Sequence, residues 1–257
     1  MSADPSPPFP PLCVPRRGLS RLGAWALSYL LPSACAGCDR RLEIDQRQGI
    51  CLRCWQALEP RDRPACPRCA SPQSGSSRVC ERCRRRPPGY HWARSVWPYE
   101  GPARGAVLAF KYGGLPGLVR PLGQALLATA SEQLDRLHPV LIPVPLHRAR
   151  LRQRGFDACD ALARFVARRL GLTVSRAIER PRGTTPQAGL GVLARRRNTT
   201  DAFQLLWPEA ILGRNVVLID DVLTTGATVG VCTQLLSGAG AREIGVLTLA
   251  RARLNEA

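Results

Sequence analysis

The chain is 257 residues long, 45% hydrophobic and 22% charged, with a formal net charge of +18. These proportions exclude a fully disordered chain and a polytopic membrane protein, and the length suits one large domain or a medium domain with a small appendage. Lys111 is the sole lysine, so 36 of the 37 cations are arginines. That bias reads either as codon usage or as anion binding, because a guanidinium fork matches phosphate well.

Residues 1–18 form a Pro-rich start that is expected to be disordered. Arg16 and Arg17 precede the apolar stretch Leu22 to Leu31 and then Ser33-Ala34-Cys35, which imitates an export signal. Pro32 stands where such a signal prefers Leu, and cleavage there would turn Cys35 into a lipid anchor. The preferred reading is a short amphipathic helix, Leu19 to Leu31, docked on the rest of the chain. No other segment approaches the length of a membrane span, so the chain is expected in the cytoplasm, without membrane insertion and with its thiols reduced.

Eight of the eleven cysteines then form four Cys-x-x-Cys pairs, separated by twelve, eleven and ten residues. Two such turns close one tetrahedral site, so eight ligands imply two structural Zn²⁺ ions. Sequential wiring assigns Cys35, Cys38, Cys51 and Cys54 to one ion, and Cys66, Cys69, Cys80 and Cys83 to the other. Interleaved wiring is the alternative. Disulfides, redox pairs and an iron–sulfur cluster are weaker readings of the same spacing. The segment has few aliphatic residues, so metal is expected to supply most of its folding free energy. Cys159 and Cys232 fall on helix faces and read as small core residues.

The run from Arg84 to Gly89 reads as a linker, which puts the helix and double zinc ribbon in residues 19–86 and a second domain in residues 87–257. In that domain helices are expected near 105–112 and 121–137, then a strand at 140–144 and a helix at 156–170 closed by Gly171. A strand at 215–219, a helix through Val229, Cys232, Leu235 and Leu236, and a strand at 244–249 follow. Alternating strands and helices predict an α/β fold with a mainly parallel sheet and flanking helices.

The most informative segment runs from Val216 to Thr228. A buried strand ends in Asp220 and Asp221, and a turn of Thr224, Thr225, Gly226, Ala227 and Thr228 opens a helix. In open α/β sheets, ligands bind beyond the carboxyl ends of strands. Amides at the start of the helix suit a phosphate, and Gly226 allows close approach. The two acids lie about one sugar ring away. This segment resembles the phosphoribosyl diphosphate (PRPP) signature of type I phosphoribosyltransferases.

Further segments are similar to the ComF family, the competence-associated, amidophosphoribosyltransferase-like proteins. They are Pro143-Val144-Pro145-Leu146-His147 with Arg150, Arg154, Gly155 and Phe156, the series Arg180, Arg182, Thr184, Gln187, Leu190, Arg195, Asn198 and Phe203, the Lys111-Tyr112-Gly113 element, and the cysteine pairs. Asp157 departs from the Asn that the family carries after Arg-Gly-Phe. The resemblance implies a type I phosphoribosyltransferase-like domain that binds PRPP with Mg²⁺ through Asp220, Asp221 and residues 224–228. It implies a pyrophosphate loop at Arg150, Arg154 and Gly155, and a lid that carries Arg180, Arg182, Thr184, Gln187, Arg195 and Asn198.

By the same resemblance the two acids stabilise an oxocarbenium-like state while a nitrogen nucleophile displaces pyrophosphate, and the protein acts in DNA uptake, on single-stranded DNA beside a DNA-translocating helicase. Three readings stay open: a phosphoribosyl-transferring enzyme with an unassigned acceptor, a nucleotide-binding module without chemistry, and a DNA-uptake factor compatible with either. His147 reads as a strand-end packing or hydrogen-bonding residue, with a general base as the alternative, and Thr224 cannot serve as a general base.

Overall fold

The structure is a computed structural model that describes residues 34–42, 49–58, 64–76, 78–112, 116–180 and 203–253. The Pro-rich start, the expected helix at 19–31 and the lid beyond Arg180 fall outside those residues.

Each zinc half repeats one local plan. A Cys-x-x-Cys turn is closed by a bridge, Ala34 with Arg41 in the first half and Ala65 with Pro72 in the second. The residue after each turn, Asp39 or Ala70, takes a left-handed φ of 58° or 56°. The second cysteine pair of each half starts on an N-cap: Cys51 before α1 (Leu52–Gln56) and Cys80 before α2 (Glu81–Arg85).

The rest of the described chain is built on four parallel strands. They are β1 (Trp92–Pro98), β2 (Val140–Pro143), β5 (Asn215–Leu223) and β6 (Glu243–Arg251), in the spatial order β1-β6-β5-β2. Helices α3 (Gly101–Tyr112) and α4 (Val119–Leu137) link the first two strands. After β2 come α5 (Arg148–Arg154) and α6 (Ala158–Leu170), then a hairpin of β3 (Ile178–Glu179) and β4 (Gln204–Leu205). Helix α7 (Ala227–Gly238) joins β5 to β6. Successive strand residues point to opposite faces. Leu141, Val217, Ile219, Leu247 and Leu249 therefore meet α3, α4 and α6, while Ile142, Val216, Leu218, Ile244 and Val246 meet α7.

The fold differs from the expectations in four places. Strand β5 runs on through Asp220 and Asp221 to Leu223, because β6 is long enough to pair with it there, with Asp220 opposite Thr248 and Leu223 opposite Arg251. Residues 148–154 form a helix instead of a loop, anchored by the Leu151 amide on the His147 carbonyl at 3.0 Å. Helix α6 starts two residues after Phe156, where Asp157 caps it by accepting from the Asp160 amide at 3.1 Å. An Asn caps equally well, so the departure at position 157 keeps the cap. Finally, neither β1 nor the β3–β4 hairpin was anticipated.

The first zinc half also does not stand on metal alone. Cys35, Leu42, Ile50, Cys54, Trp55 and Leu58 belong to the same apolar cluster as Phe110, Leu122 and Leu126. Helix α3 comes so close that a Cβ on Gly105 would lie 2.1 Å from the Ala36 carbonyl oxygen. The second half differs: Cys66, Cys69 and Cys83 form a small cluster of their own. Polar contacts hold it to the sheet. Arg68 donates to the Tyr90 carbonyl at 3.1 Å, and Arg94 to the Pro67 carbonyl at 3.4 Å.

Candidate functional site

The cysteines group in sequential order. Sγ atoms of Cys35, Cys38, Cys51 and Cys54 lie within 4.8 Å of one another, as do those of Cys66, Cys69, Cys80 and Cys83. Zn–S bonds of about 2.3 Å at tetrahedral angles set sulfur atoms about 3.8 Å apart. The Cys38–Cys51 and Cys69–Cys80 separations are 3.7 and 3.8 Å. Backbone amides also point at sulfur, Cys51 N to Cys35 Sγ at 3.2 Å and Cys80 N to Cys66 Sγ at 3.4 Å. Both donor sets fit a structural zinc ion.

The acid pair lies at the carboxyl end of β5, beside β2 and β6. The Asp220 carboxylate accepts from the Asp221 amide at 2.8 Å, and the Cys159 Sγ lies 3.7 Å away. Protein packed around the Asp220 carboxylate, and then the Asp221 charge, push its pKa up to about 7. Asp221 pairs with the Lys111 ammonium at 2.7 Å. Cys159 is buried, as its helix face foretold, and the acids beside it make it a member of the site as well as of the core. Burial, and then Asp221 and Asp220, drive its thiol pKa well up, so it stays a thiol.

Beyond the acids the chain leaves the sheet at Thr224. Thr224, Thr225, Ala227 and Thr228 are exposed. Gly226 caps α7 with φ 83°, a conformation other residues reach only at a cost. The Thr225 hydroxyl accepts from the Ala227 amide at 3.3 Å. The turn is thus an exposed helix start, the geometry an anion uses.

Three consecutive residues at the end of α3 join this region to the arginine segment. Phe110 packs edge-on against Phe156 with ring centroids 5.4 Å apart, and Lys111 pairs with Asp221. Tyr112 accepts from Arg154 Nη2 at 3.0 Å and lies under its guanidinium, 4.5 Å from the ring centroid. Positions 150 and 154, four apart, share a face of α5. Gly155 follows with φ 75°. Arg180 stacks 5.3 Å over Phe203 and feels the charge of Arg150, so the start of the expected lid lies near the arginine helix. Arg182, Thr184, Gln187, Arg195 and Asn198 lie outside the described residues. Lys111, Tyr112 and Cys159 were not read as site residues. The solitary lysine in an arginine-rich chain and the Lys111-Tyr112-Gly113 element were the available signals.

A double zinc ribbon domain matches residues 26–84, and a phosphoribosyl transferase domain matches residues 157–256. The DNA utilization protein YhgH of Escherichia coli O157:H7 is 34% identical over 230 residues, covering 86% of this chain and 98% of that protein. The chain belongs to the ComF family. Other relatives are Competence protein F of Haemophilus influenzae, 30% identical over 85% of this chain and 96% of that protein, and Competence protein ComFC of Bacillus subtilis, 26% identical over 79% and 84%. Among solved structures, this ComF-family chain aligns with the allosteric regulatory enzyme of purine biosynthesis at TM-score 0.39 and 17% identity, over 55% of this chain and 30% of that one. A glutamine PRPP amidotransferase from B. subtilis aligns at TM-score 0.36 and 14% identity, over 61% and 31%.

Proposed function

We propose that this ComF-family protein binds PRPP, with the 5′-phosphate on residues 224–228, the ribose hydroxyls on Asp220 and Asp221, and the diphosphate facing Arg150, Arg154 and Gly155. The observation that carries this reading is the continuity of β5 into an acid pair and then an open, Gly226-capped helix start, with Lys111 and Arg154 brought to its rim by α3. Magnesium arrives with the diphosphate, and Asp220 and Asp221 are the residues that would hold it. Arg180 opens a lid that continues through Arg182, Thr184, Gln187, Arg195 and Asn198.

Catalysis in this site is displacement at C1′. A nitrogen nucleophile forms the new bond as the bond to the diphosphate oxygen breaks, and pyrophosphate leaves with the electron pair. The carboxylates stabilise the positive charge that develops on the ribose. Thr224 offers no base, so the acceptor must bring a free electron pair.

Calorimetry with Mg²⁺ and PRPP on the wild type and on the Asp220→Ala/Asp221→Ala variant tests the binding. Saturable binding to the wild type and its loss in the variant are expected; equal weak heats for both would sink the reading. Pyrophosphate release across a panel of amines and bases then tests for transfer.

The names of the relatives, DNA utilization protein and competence protein, support a role in DNA uptake. The protein would act in the cytoplasm on incoming single-stranded DNA beside a translocating helicase. Among the described residues no helix is long and apolar enough to cross a membrane.

A further inference from the structure

Arg251, the last residue of β6, is a buried cation with 3% exposure. Its guanidinium reaches two distant segments at once. Nε donates to the Cys69 carbonyl at 2.9 Å, inside the second zinc turn. Nη1 donates to the Leu223 carbonyl at 2.6 Å and to the Thr224 carbonyl. A second arginine from the same zinc half continues the series: Arg82, between ligands Cys80 and Cys83, donates to the Thr225 carbonyl at 3.5 Å.

Peptide planarity converts these contacts into a statement about the other side of the chain. In a trans peptide the C=O and the following N–H point in opposite directions. With the carbonyls of residues 223 and 224 turned toward Arg251 of β6 and that of residue 225 toward Arg82, the N–H groups of Thr224, Thr225 and Gly226 turn away from those two guanidinium groups. Those are the amides at the open helix start. The guanidinium charge at the carbonyl ends also raises the positive potential at the amide ends. The first zinc half has no such role, since it packs on Gly105 and Pro102 of α3.

We infer that the second zinc half is a structural part of the phosphate-binding turn: through Cys69, Arg251 and Arg82 it holds peptides 223–226 with their amides facing the ligand, and Arg251 is a positioning residue for a 5′-phosphate. The inference rests on the reading of residues 224–228 as the 5′-phosphate turn. The ribbon is then a clamp on a small-molecule site, whatever else it touches. Lysine cannot replace Arg251, because one ammonium cannot span three carbonyls in fixed directions as a planar fork does.

The test has a ligand-free arm and a ligand arm on the full-length, zinc-loaded protein. Hydrogen exchange is followed for Arg251→Met, for Cys83→Ser in the second zinc half and for Cys54→Ser in the first. The amides bonded to this segment's carbonyls, Gly230 on Gly226 at 2.7 Å and Ala252 on Leu223 at 3.0 Å, are expected to exchange at least about fivefold faster in Arg251→Met and Cys83→Ser, with β2 and α6 unchanged, and as in wild type in Cys54→Ser. The exposed Arg82→Gln variant keeps the fold, and its increase should centre on Gly230. In the ligand arm, Arg251→Met and Arg251→Lys should weaken ribose 5-phosphate about tenfold or more while pyrophosphate binding stays within about twofold.

Wild-type exchange at Gly230 and Ala252 in Arg251→Met, and at Gly230 in Arg82→Gln, would overturn the inference. So would equal losses for both ligands with equal loss of protection across the sheet, which marks a merely structural arginine. Faster exchange without any ribose 5-phosphate binding by the wild type would retain the clamp and reject the phosphoribosyl reading.

Discussion

At the scale of single residues, the arginine bias has a use beyond codon habit or anion binding. Arg68, Arg94 and Arg251 all donate to backbone carbonyls at the seam between the second zinc half and the sheet. A five-donor side chain can reach several backbone carbonyls at one seam, and lysine, with a single ammonium, does this less well. Asp220 shows the opposite economy. Its folded pKa is raised to about 7, above its unfolded value, so ionising it destabilises the fold. That penalty is absent below about pH 4, grows as pH rises, and is complete above about pH 7. Asp220→Asn should therefore raise the melting temperature at pH 8 and leave it nearly unchanged at pH 4. In the same window a carboxylate that must accept hydrogen bonds becomes available, so Mg²⁺-PRPP affinity should climb from pH 6 to pH 8 in the wild type. A parallel climb in Asp220→Asn would assign the pH dependence to the ligand's own phosphates.

The acids and the threonine turn were legible in the sequence because strand, acids and turn are contiguous. Arg251 was not, since its partner Cys69 lies 182 residues away and no local pattern marks a buried arginine. Lys111 and Tyr112 were visible as an element without a role, for the same reason: their partners Asp221 and Arg154 are brought to them only by packing.

Among the elements, legibility followed burial pattern. The continuous apolar runs of β2 and β5 announce strands covered on both faces. Strand β1, with the sequence WARSVWP, carries Arg94 and Ser95 in its middle and looks like surface. Its polar groups are answered across the fold: Ser95 meets the Thr248 hydroxyl at 2.6 Å, and Trp97 donates to the Leu58 carbonyl at 2.6 Å. Helix α5 was missed because a run of arginines signals charge and says little about conformation. The contact between α3 and the first zinc half gives the sharpest test at this scale. Gly105→Ala sets a methyl 2.1 Å from the Ala36 carbonyl oxygen and 2.7 Å from the Gly37 Cα, both backbone atoms. The change should cost about 1–3 kcal/mol in chemical denaturation. Limited proteolysis should then cut near the first zinc half before the sheet; an unchanged midpoint would show that the two can part freely.

For the whole molecule, charge and metal are linked. Metal analysis should find about two zinc ions per chain. Eight thiolates with two Zn²⁺ bring the formal charge from +18 to about +14. The zinc segment, residues 35–86, drops from +6 to about +2, and residues 87–257 keep +10. The positive field therefore belongs mainly to the phosphoribosyltransferase-like domain, around the segments that would meet a polyphosphate. If DNA shares that surface, log affinity for single-stranded DNA should fall steeply with log salt, and saturating PRPP should compete. A slope near zero would remove phosphate contacts from the account.

The strand order has a consequence for how the protein is made. Strand β6 sits between β1 and β5, yet it is translated after both, and Trp92 pairs with Gly245 across most of the chain. Until residue 251 leaves the ribosome, the sheet has a gap at its middle and the second zinc half lacks its contact with Arg251. The first zinc half and α3 can assemble during synthesis, whereas the ligand site closes only at the end of it. A nascent chain stalled before Glu243 should therefore be able to hold zinc at Cys35 to Cys54 while its apolar strands remain open to chaperones.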